Sequence, residues 1–170
     1  VNFGIVYGIS AFSLSEDIHI SQKEAQVYID SYLEKYAGVA RYMAEIKEKA
    51  RKDGYVTTLM GRRRYLPELK SKNFNIRSFG ERVALNTPIQ GTAADVIKAA
   101  MVAVYRRLEQ EGLRARLLLQ VHDELIIEAP PEEAEQVKAL LTEEMENAFP
   151  LSVRLQADVS EGENWYEAKK

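Results

Sequence analysis

Residues 120–125, Gln-Val-His-Asp-Glu-Leu, lie between two apolar strand-like runs, Leu117 to Leu119 before them and Ile126 to Ile127 after. That pattern calls for two antiparallel strands joined by a short polar turn. The turn carries one imidazole, His122, and two adjacent carboxylates, Asp123 and Glu124. Strands hold such a tip rigid while the turn exposes it, which suits presentation of an oxygen ligand to a hard cation such as Mg²⁺. An acidic hairpin tip is also what an ordinary solvated turn looks like, so the run alone leaves both readings open. His122-Asp123-Glu124-Leu125 spells a retention signal as well, but that signal is read only at a chain's end.

Two further runs carry side chains of defined chemistry. Residues 2–8, Asn-Phe-Gly-Ile-Val-Tyr-Gly, put Phe3 and Tyr7 one helical turn apart, with Gly4 and Gly8 expected to keep the neighbouring surface low. The pair reads as a stacking platform or as part of a core stripe. Farther on, Arg82, Asn86 and Gln90 recur every four residues ahead of Gly91-Thr92-Ala93-Ala94-Asp95. All three bear side-chain N–H donors, and the spacing directs them to one helical face.

The stretches between these runs read mostly as helix. Residues 1–8 finish a helix, and Ser13 to Ile18 form a short one. Ser21-Gln22-Lys23-Glu24 is a capping box opening a helix to about Tyr36, whose stripe Ala25, Tyr28, Ile29, Tyr32, Leu33 faces the core. Another helix follows Gly38 and stops at Asp53-Gly54. Tyr55 to Thr58 and Arg63 to Leu66 make a small hairpin around Met60-Gly61. A long helical region spans Phe74 to Glu111, interrupted near Asn86-Thr87-Pro88 because proline lacks an N–H and disfavours helix before it, and Gly112 ends it. After the 113–128 hairpin, Pro130-Pro131 leads into an acidic helix to about Ala148. Val153, Leu155, Ala157 and Val159 alternate as a last strand that joins the hairpin sheet. The class is α+β, a helical portion followed by long helices and a small antiparallel sheet, with a boundary near residue 76.

Composition excludes some chemistry. There is no Cys, hence no disulfide and no thiolate-held zinc, and no apolar run approaches the roughly 20 residues that span a bilayer. The net charge of −3 hides a division: residues 41–82 hold 12 basic against 5 acidic residues, +7, while residues 123–163 hold 2 against 12, −10. A basic middle suits a phosphate backbone, and the acidic third includes the candidate metal ligands.

Taken in order, the run Phe3 to Gly8, Gly61-Arg62-Arg63-Arg64-Tyr65-Leu66-Pro67, the segment Arg82 to Asp95, Gln120 to Leu125 and the tail Asn164-Trp165-Tyr166 resemble one family. The chain resembles the C-terminal part of a family A DNA polymerase of the bacterial DNA polymerase I type. The resemblance covers the whole chain and implies a fingers portion over 1–76 and a palm portion over 77–170. It implies DNA-templated DNA synthesis in the cytoplasm, with dNTP and primer–template duplex as partners and two Mg²⁺ ions as cofactors. In the family, an arginine and a lysine precede the phenylalanine on the same helix, and an earlier strand supplies the first metal-binding aspartate. This chain starts at Val1, without initiator Met or cap, and reads as a piece of a longer polypeptide. Residues outside it would complete the two-metal site, and the remainder of the polypeptide, the thumb and the rest of the palm, is a further implied partner.

Each motif acquires a role under that resemblance. Asp123 becomes a metal ligand, Glu124 a secondary carboxylate, and His122 a neighbour of the primer end. Phe3 and Tyr7 line the incoming nucleotide and templating base, where stacking serves every base alike. Arg82, Asn86 and Gln90 hold the minor groove, whose acceptors at purine N3 and pyrimidine O2 occur in every Watson–Crick pair. Gln120 joins them as a DNA contact. Arg62, Arg63 and Arg64 either grip backbone phosphates or are solvated tip residues. The rival reading from another class is a duplex-binding module that keeps the fold without the chemistry.

Overall fold

A computed structural model of the chain describes residues 1–169. Two compact units emerge from the packing, residues 1–92 and 93–170, and the division falls inside a helix, later in the chain than residue 76.

The first unit is helical apart from one small hairpin. Helix α1 (Asn2–Val6) is followed by α2 (Ala11–Ile18), whose start is fixed by Ser10 accepting from the Ser13 amide at 3.1 Å. Helix α3 (Gln22–Lys35) opens with the expected capping box: the Glu24 amide donates to Ser21 Oγ and the Ser21 amide to Glu24 Oε2. The Ser21 hydroxyl and amide bound to Glu24 hold its carboxyl below the usual value. Tyr36 alone separates α3 from α4 (Ala37–Asp53), so Gly38 lies inside a helix instead of preceding one. Gly54 ends α4 at φ 76°.

Strands β1 (Tyr55–Thr57) and β2 (Arg63–Tyr65) then pair antiparallel, Tyr55 opposite Tyr65. A 3₁₀ turn at Pro67–Lys70 leads to α5 (Phe74–Gln110). Ala50, Val56, Leu66, Leu69 and Ala84 form this unit's main core cluster. Leu66 and Leu85 are fully buried, worth about 1.5–3 kcal/mol each against exposure. The stripe on α3 is only partly core: Ala25 is buried, but Tyr28 is 58 % exposed.

Helix α5 runs as one 37-residue helix with Pro88 inside it, not interrupted there as expected. Proline costs one intrahelical bond and a clash; one turn on, the Thr92 hydroxyl donates to the Pro88 carbonyl.

In the second unit the latter half of α5 contributes Ala100, Val104 and Leu108, spaced by one turn, to the core. Strands β3 (Arg116–Val121) and β4 (Glu124–Glu128) add Leu125, and helix α6 (Ala134–Glu146) adds Val137, Leu140 and Leu141. A short α7 (Trp165–Ala168) is capped by Asn164 accepting from the Glu167 amide at 3.1 Å.

The expected last strand does not form. Leu155, Ala157 and Val159 do alternate half-buried with exposed neighbours, and Val159 packs on the core. Their backbone pairs with no strand; instead α6 tethers the segment, Glu146 accepting from the Ala157 amide at 3.3 Å and pairing with Arg154 at 2.6 Å. The architecture is α+β, rich in helix with two separate two-stranded antiparallel sheets. Among the described residues no helix is long and apolar enough to cross a membrane.

Candidate nucleotide and nucleic-acid site

In the first unit, α1 presents the aromatic pair. The Tyr7 amide donates to the Phe3 carbonyl at 3.0 Å, so the two residues stand one turn apart on the same side. Phe3 is 80 % exposed, an uncommon position for a phenylalanine with no contact to make, while Tyr7 is half-buried.

The glycines do something other than lower the surface. A Cβ on Gly4 would press on Ile9 at 3.3 Å, where the chain doubles back with the Ile9 amide on the Gly4 carbonyl at 2.8 Å. Gly8, at φ +80°, is pressed against α5: a Cβ there would lie 2.9 Å from Leu85 Cδ1 and 3.8 Å from Arg82 Cγ. The end of the aromatic helix therefore rests on the part of α5 that bears Arg82.

Arg82 and Gln90 are exposed and Asn86 is half-buried. The Arg82 guanidinium reaches Ser78 Oγ at 3.2 Å. Asn86 Oδ1 is buried without a hydrogen-bond partner. An orphaned acceptor of this kind costs about 1–3 kcal/mol, and native proteins keep few of them.

The β1–β2 hairpin carries the arginine run. Its cross-strand rings Tyr55 and Tyr65 stand 5.7 Å apart, and the Arg63 guanidinium lies 4.9 Å from the Tyr55 centroid. Arg63 is thus held on an aromatic face, a restrained cation. Arg64, opposite buried Val56, is exposed.

In the second unit, β3 and β4 meet in a two-residue loop, His122-Asp123, closed by the pair Val121–Glu124. His122 has φ 54°, a left-handed conformation that costs a non-glycine residue on the order of 1–2 kcal/mol. Gln120 braces it, its side-chain amide donating to the His122 carbonyl. That bond occupies the amide expected to touch DNA. A bulge at Leu118 breaks the register between Leu117 and Leu119, leaving Leu118 and Leu119 both exposed. Bulges re-aim the residues beyond them, and here those residues lead into the tip.

Asp123 is exposed, and its carboxylate has no hydrogen bond or ion pair among the described residues. Glu124 differs: Lys169 Nζ approaches its two oxygens at 3.2 and 3.4 Å and also sits 5.7 Å from the Trp165 ring. Sequence reasoning missed Lys169, since nothing local marks a residue so distant in the chain as a partner of Glu124. Asp123 is the kind of donor Mg²⁺ takes, a hard and unencumbered oxygen. Among the described residues no group of three carboxylate or imidazole ligands forms, so Asp123 would supply one ligand of a larger set.

The profile of DNA polymerase family A matches residues 1–167. DNA polymerase I of Bacillus subtilis (strain 168) is 58 % identical over 169 residues, 99 % of this chain and 19 % of that protein. DNA polymerase I of Geobacillus stearothermophilus is 56 % identical over the same share of each. Among solved structures, the POL domain of Pol1 from M. smegmatis in complex with DNA primer–template and dNTP superposes with TM-score 0.96 at 46 % identity. The match covers 99 % of this chain and 30 % of that one. The chain thus spans about a fifth of the length of the curated relatives it matches.

Proposed function

The chain belongs to DNA polymerase family A, and on that premise we propose that it serves DNA-templated DNA synthesis as the C-terminal part of a longer polymerase, with residues 1–76 in the fingers and 77–170 in the palm. In the reaction, the primer 3′-oxygen attacks the α-phosphorus of a dNTP, a P–O bond forms, pyrophosphate leaves and the hydroxyl proton is lost. Family A polymerases use divalent metals. When bound, Mg²⁺ supplies positive charge that favours the attacking alkoxide and the leaving pyrophosphate. Asp123 would hold it from this chain, joined by ligands from the rest of the polypeptide.

The remaining roles belong to the chain's own residues. Phe3 stacks on the incoming nucleotide and Tyr7 lies by the templating base, tolerant of every base because each has a π-face. Arg82, Asn86 and Gln90 donate to minor-groove acceptors of the new duplex, testing pair shape without reading sequence. His122 stands by the primer end and Gln120 fixes the turn that carries Asp123. Glu124, clasped by Lys169, acts as a secondary carboxylate. The cytoplasm is the expected location, as for any enzyme working on bacterial DNA.

One observation carries this reading: the hairpin whose sequence matches the family's holds, on a strained, braced turn, a carboxylate with no partner among the described residues. Asp123→Asn in the full-length polymerase keeps the shape and removes the charge. We expect the single-turnover rate to fall by about a thousandfold or more while duplex affinity is nearly unchanged. A loss below tenfold would return Asp123 to a solvated turn and favour a duplex-binding module without chemistry.

A further inference from the structure

Four residues of the first unit meet where the β1–β2 hairpin touches α5. Thr58, 5 % exposed, is the centre of the contact. Its amide donates to the Arg62 carbonyl at 3.0 Å and its hydroxyl accepts from the Arg62 amide at 3.2 Å, clamping both polar groups of that backbone. Its methyl occupies the space a side chain on Gly91 would need, since a Cβ there would come within 2.6 Å of Thr58 Cγ2. The next residue along, Leu59, donates its amide to Thr92 Oγ at 3.0 Å, and the same hydroxyl donates to the Pro88 carbonyl. Thr92 is buried.

Each link has one arrangement. Only glycine at position 91 lets the hairpin approach so closely. The one hydroxyl oxygen at 92 accepts from the hairpin and donates to the helix at once, whereas a methyl does neither and a carboxylate does not donate. Losing it would leave a half-buried amide of the loop unsatisfied. On α5 the latch sits directly after Gln90, on the helix that carries Arg82 and Asn86; on the hairpin it grips Arg62, where the arginine run begins.

We propose that Gly91, acting through Thr58, and Thr92, acting through Leu59, are positioning residues that lock the Arg62–Arg64 segment at one height along α5, so that arginines on phosphates and α5 donors in the minor groove engage the same duplex in one register. This rests on the reading of the chain as a duplex-binding part of a polymerase. Thr92 touches no substrate; it acts through the placement of the arginines.

The test uses the full-length polymerase and a primer–template duplex, with affinity measured against salt concentration. Each lost phosphate contact lowers the slope of log affinity against log salt by about 0.9. The Arg62→Ala/Arg63→Ala/Arg64→Ala triple variant should lower it by about one to three such steps. Thr92→Val, close in shape but without the hydroxyl, should lose a comparable part of the slope, and add little when combined with the triple variant. Thr92→Ser, which keeps the hydroxyl, should restore it. If the triple variant loses slope but Thr92→Val keeps it while only melting earlier, the latch is mere packing and the proposal falls. If the triple variant itself keeps the full slope, the arginines do not touch phosphate, and the proposal falls with its premise.

Discussion

The two hairpins of this molecule are held at opposite ends. The β1–β2 hairpin is fixed near its tip, where Thr58 and Leu59 are bound to Gly91 and Thr92, and its arginines follow from that fixed point. The β3–β4 hairpin is fixed at its base, where the Arg114 and Ala115 amides donate to the Glu133 carboxylate at 2.9–3.1 Å. Its far end carries Asp123, untethered among the described residues on a strained turn. Cations meant for a long polyanion gain from a set spacing, because several must meet phosphates together. A single carboxylate that is to hold a metal gains from having no partner of its own, because its lone pairs stay available, even where Glu124 beside it is clasped by Lys169. Under the proposed function, one fold element would do two kinds of work according to which end is anchored.

The contrast breaks most sharply at Asp123. Asp123→Glu keeps the charge but moves the oxygens outward by roughly an ångström, and displacement on that scale costs about a hundredfold in rate; a stopped-flow incorporation rate within threefold of wild type would show that the tip tolerates any acid. On the anchored side, Arg82→Ala or Gln90→Ala should slow extension by about 5- to 150-fold, or 1–3 kcal/mol per lost contact to a base edge. Extension from matched and mismatched primer ends would be compared, and equal rates in variant and wild type would deny these residues any groove contact.

Glu133 tests the base of the β3–β4 hairpin through pH. The Arg114 amide, then the Ala115 amide and Arg114 guanidinium, hold its carboxyl below the usual value against the opposing pull of desolvation. A depressed folded-state pKa stabilises above the unfolded value, near 4.3, and that stability fades as pH falls through the folded one. Wild type should therefore lose stability across that acid window, whereas Glu133→Gln starts less stable at neutral pH and loses less on acidification. Parallel curves from calorimetric or chemical unfolding would separate Glu133 from the anchoring. The smallest effect belongs to the turn: His122→Gly relieves the left-handed strain but loosens the unfolded chain, so stability should change by less than about 1 kcal/mol, while His122→Val should lose about 1–2 kcal/mol. A tolerated valine would mean that the turn can relax out of its positive φ.

Much of this was legible in the sequence because it is written locally. The capping box at Ser21, the stop at Gly54, both hairpins and the end of α5 at Gly112 each depend on residues a few positions apart. Pro88 misled because the local rule sees only the lost bond, whereas the helix on either side of it is held by packing, with Ala84 and Leu85 buried before it and Thr92 bonded after it to Leu59, a partner 33 positions away. The 153–159 alternation marks the half-buried positions at Leu155, Ala157 and Val159 but not at Val153, which is exposed, and burial is a property of one segment whereas ladder pairing is a property of two. At the candidate site, residue types and spacing singled out Asp123 and the α5 donors as candidates, and their roles rest on the resemblance. The Lys169 clasp on Glu124, the Gln120 brace and the press of Gly8 on Leu85 arise only from folding.

Helix α5 has a further consequence for anyone who would recombine this chain with its relatives. Packing divides the molecule after Thr92, and that is where a map of sparse contacts would place a crossover. Position 92, however, lies well inside a helix of about 55 Å, at 1.5 Å per residue. A junction there would join two half-helices chosen by different partners, and a true cut would strand four amides on one piece and four carbonyls on the other. The workable seams are the places where the backbone has already left its helices: Gly54, the Ser71–Asn73 turn and Gly112. Chimeras joined at those points inherit whole helices, and the helix bearing Arg82, Gly91 and Thr92 travels as one cassette.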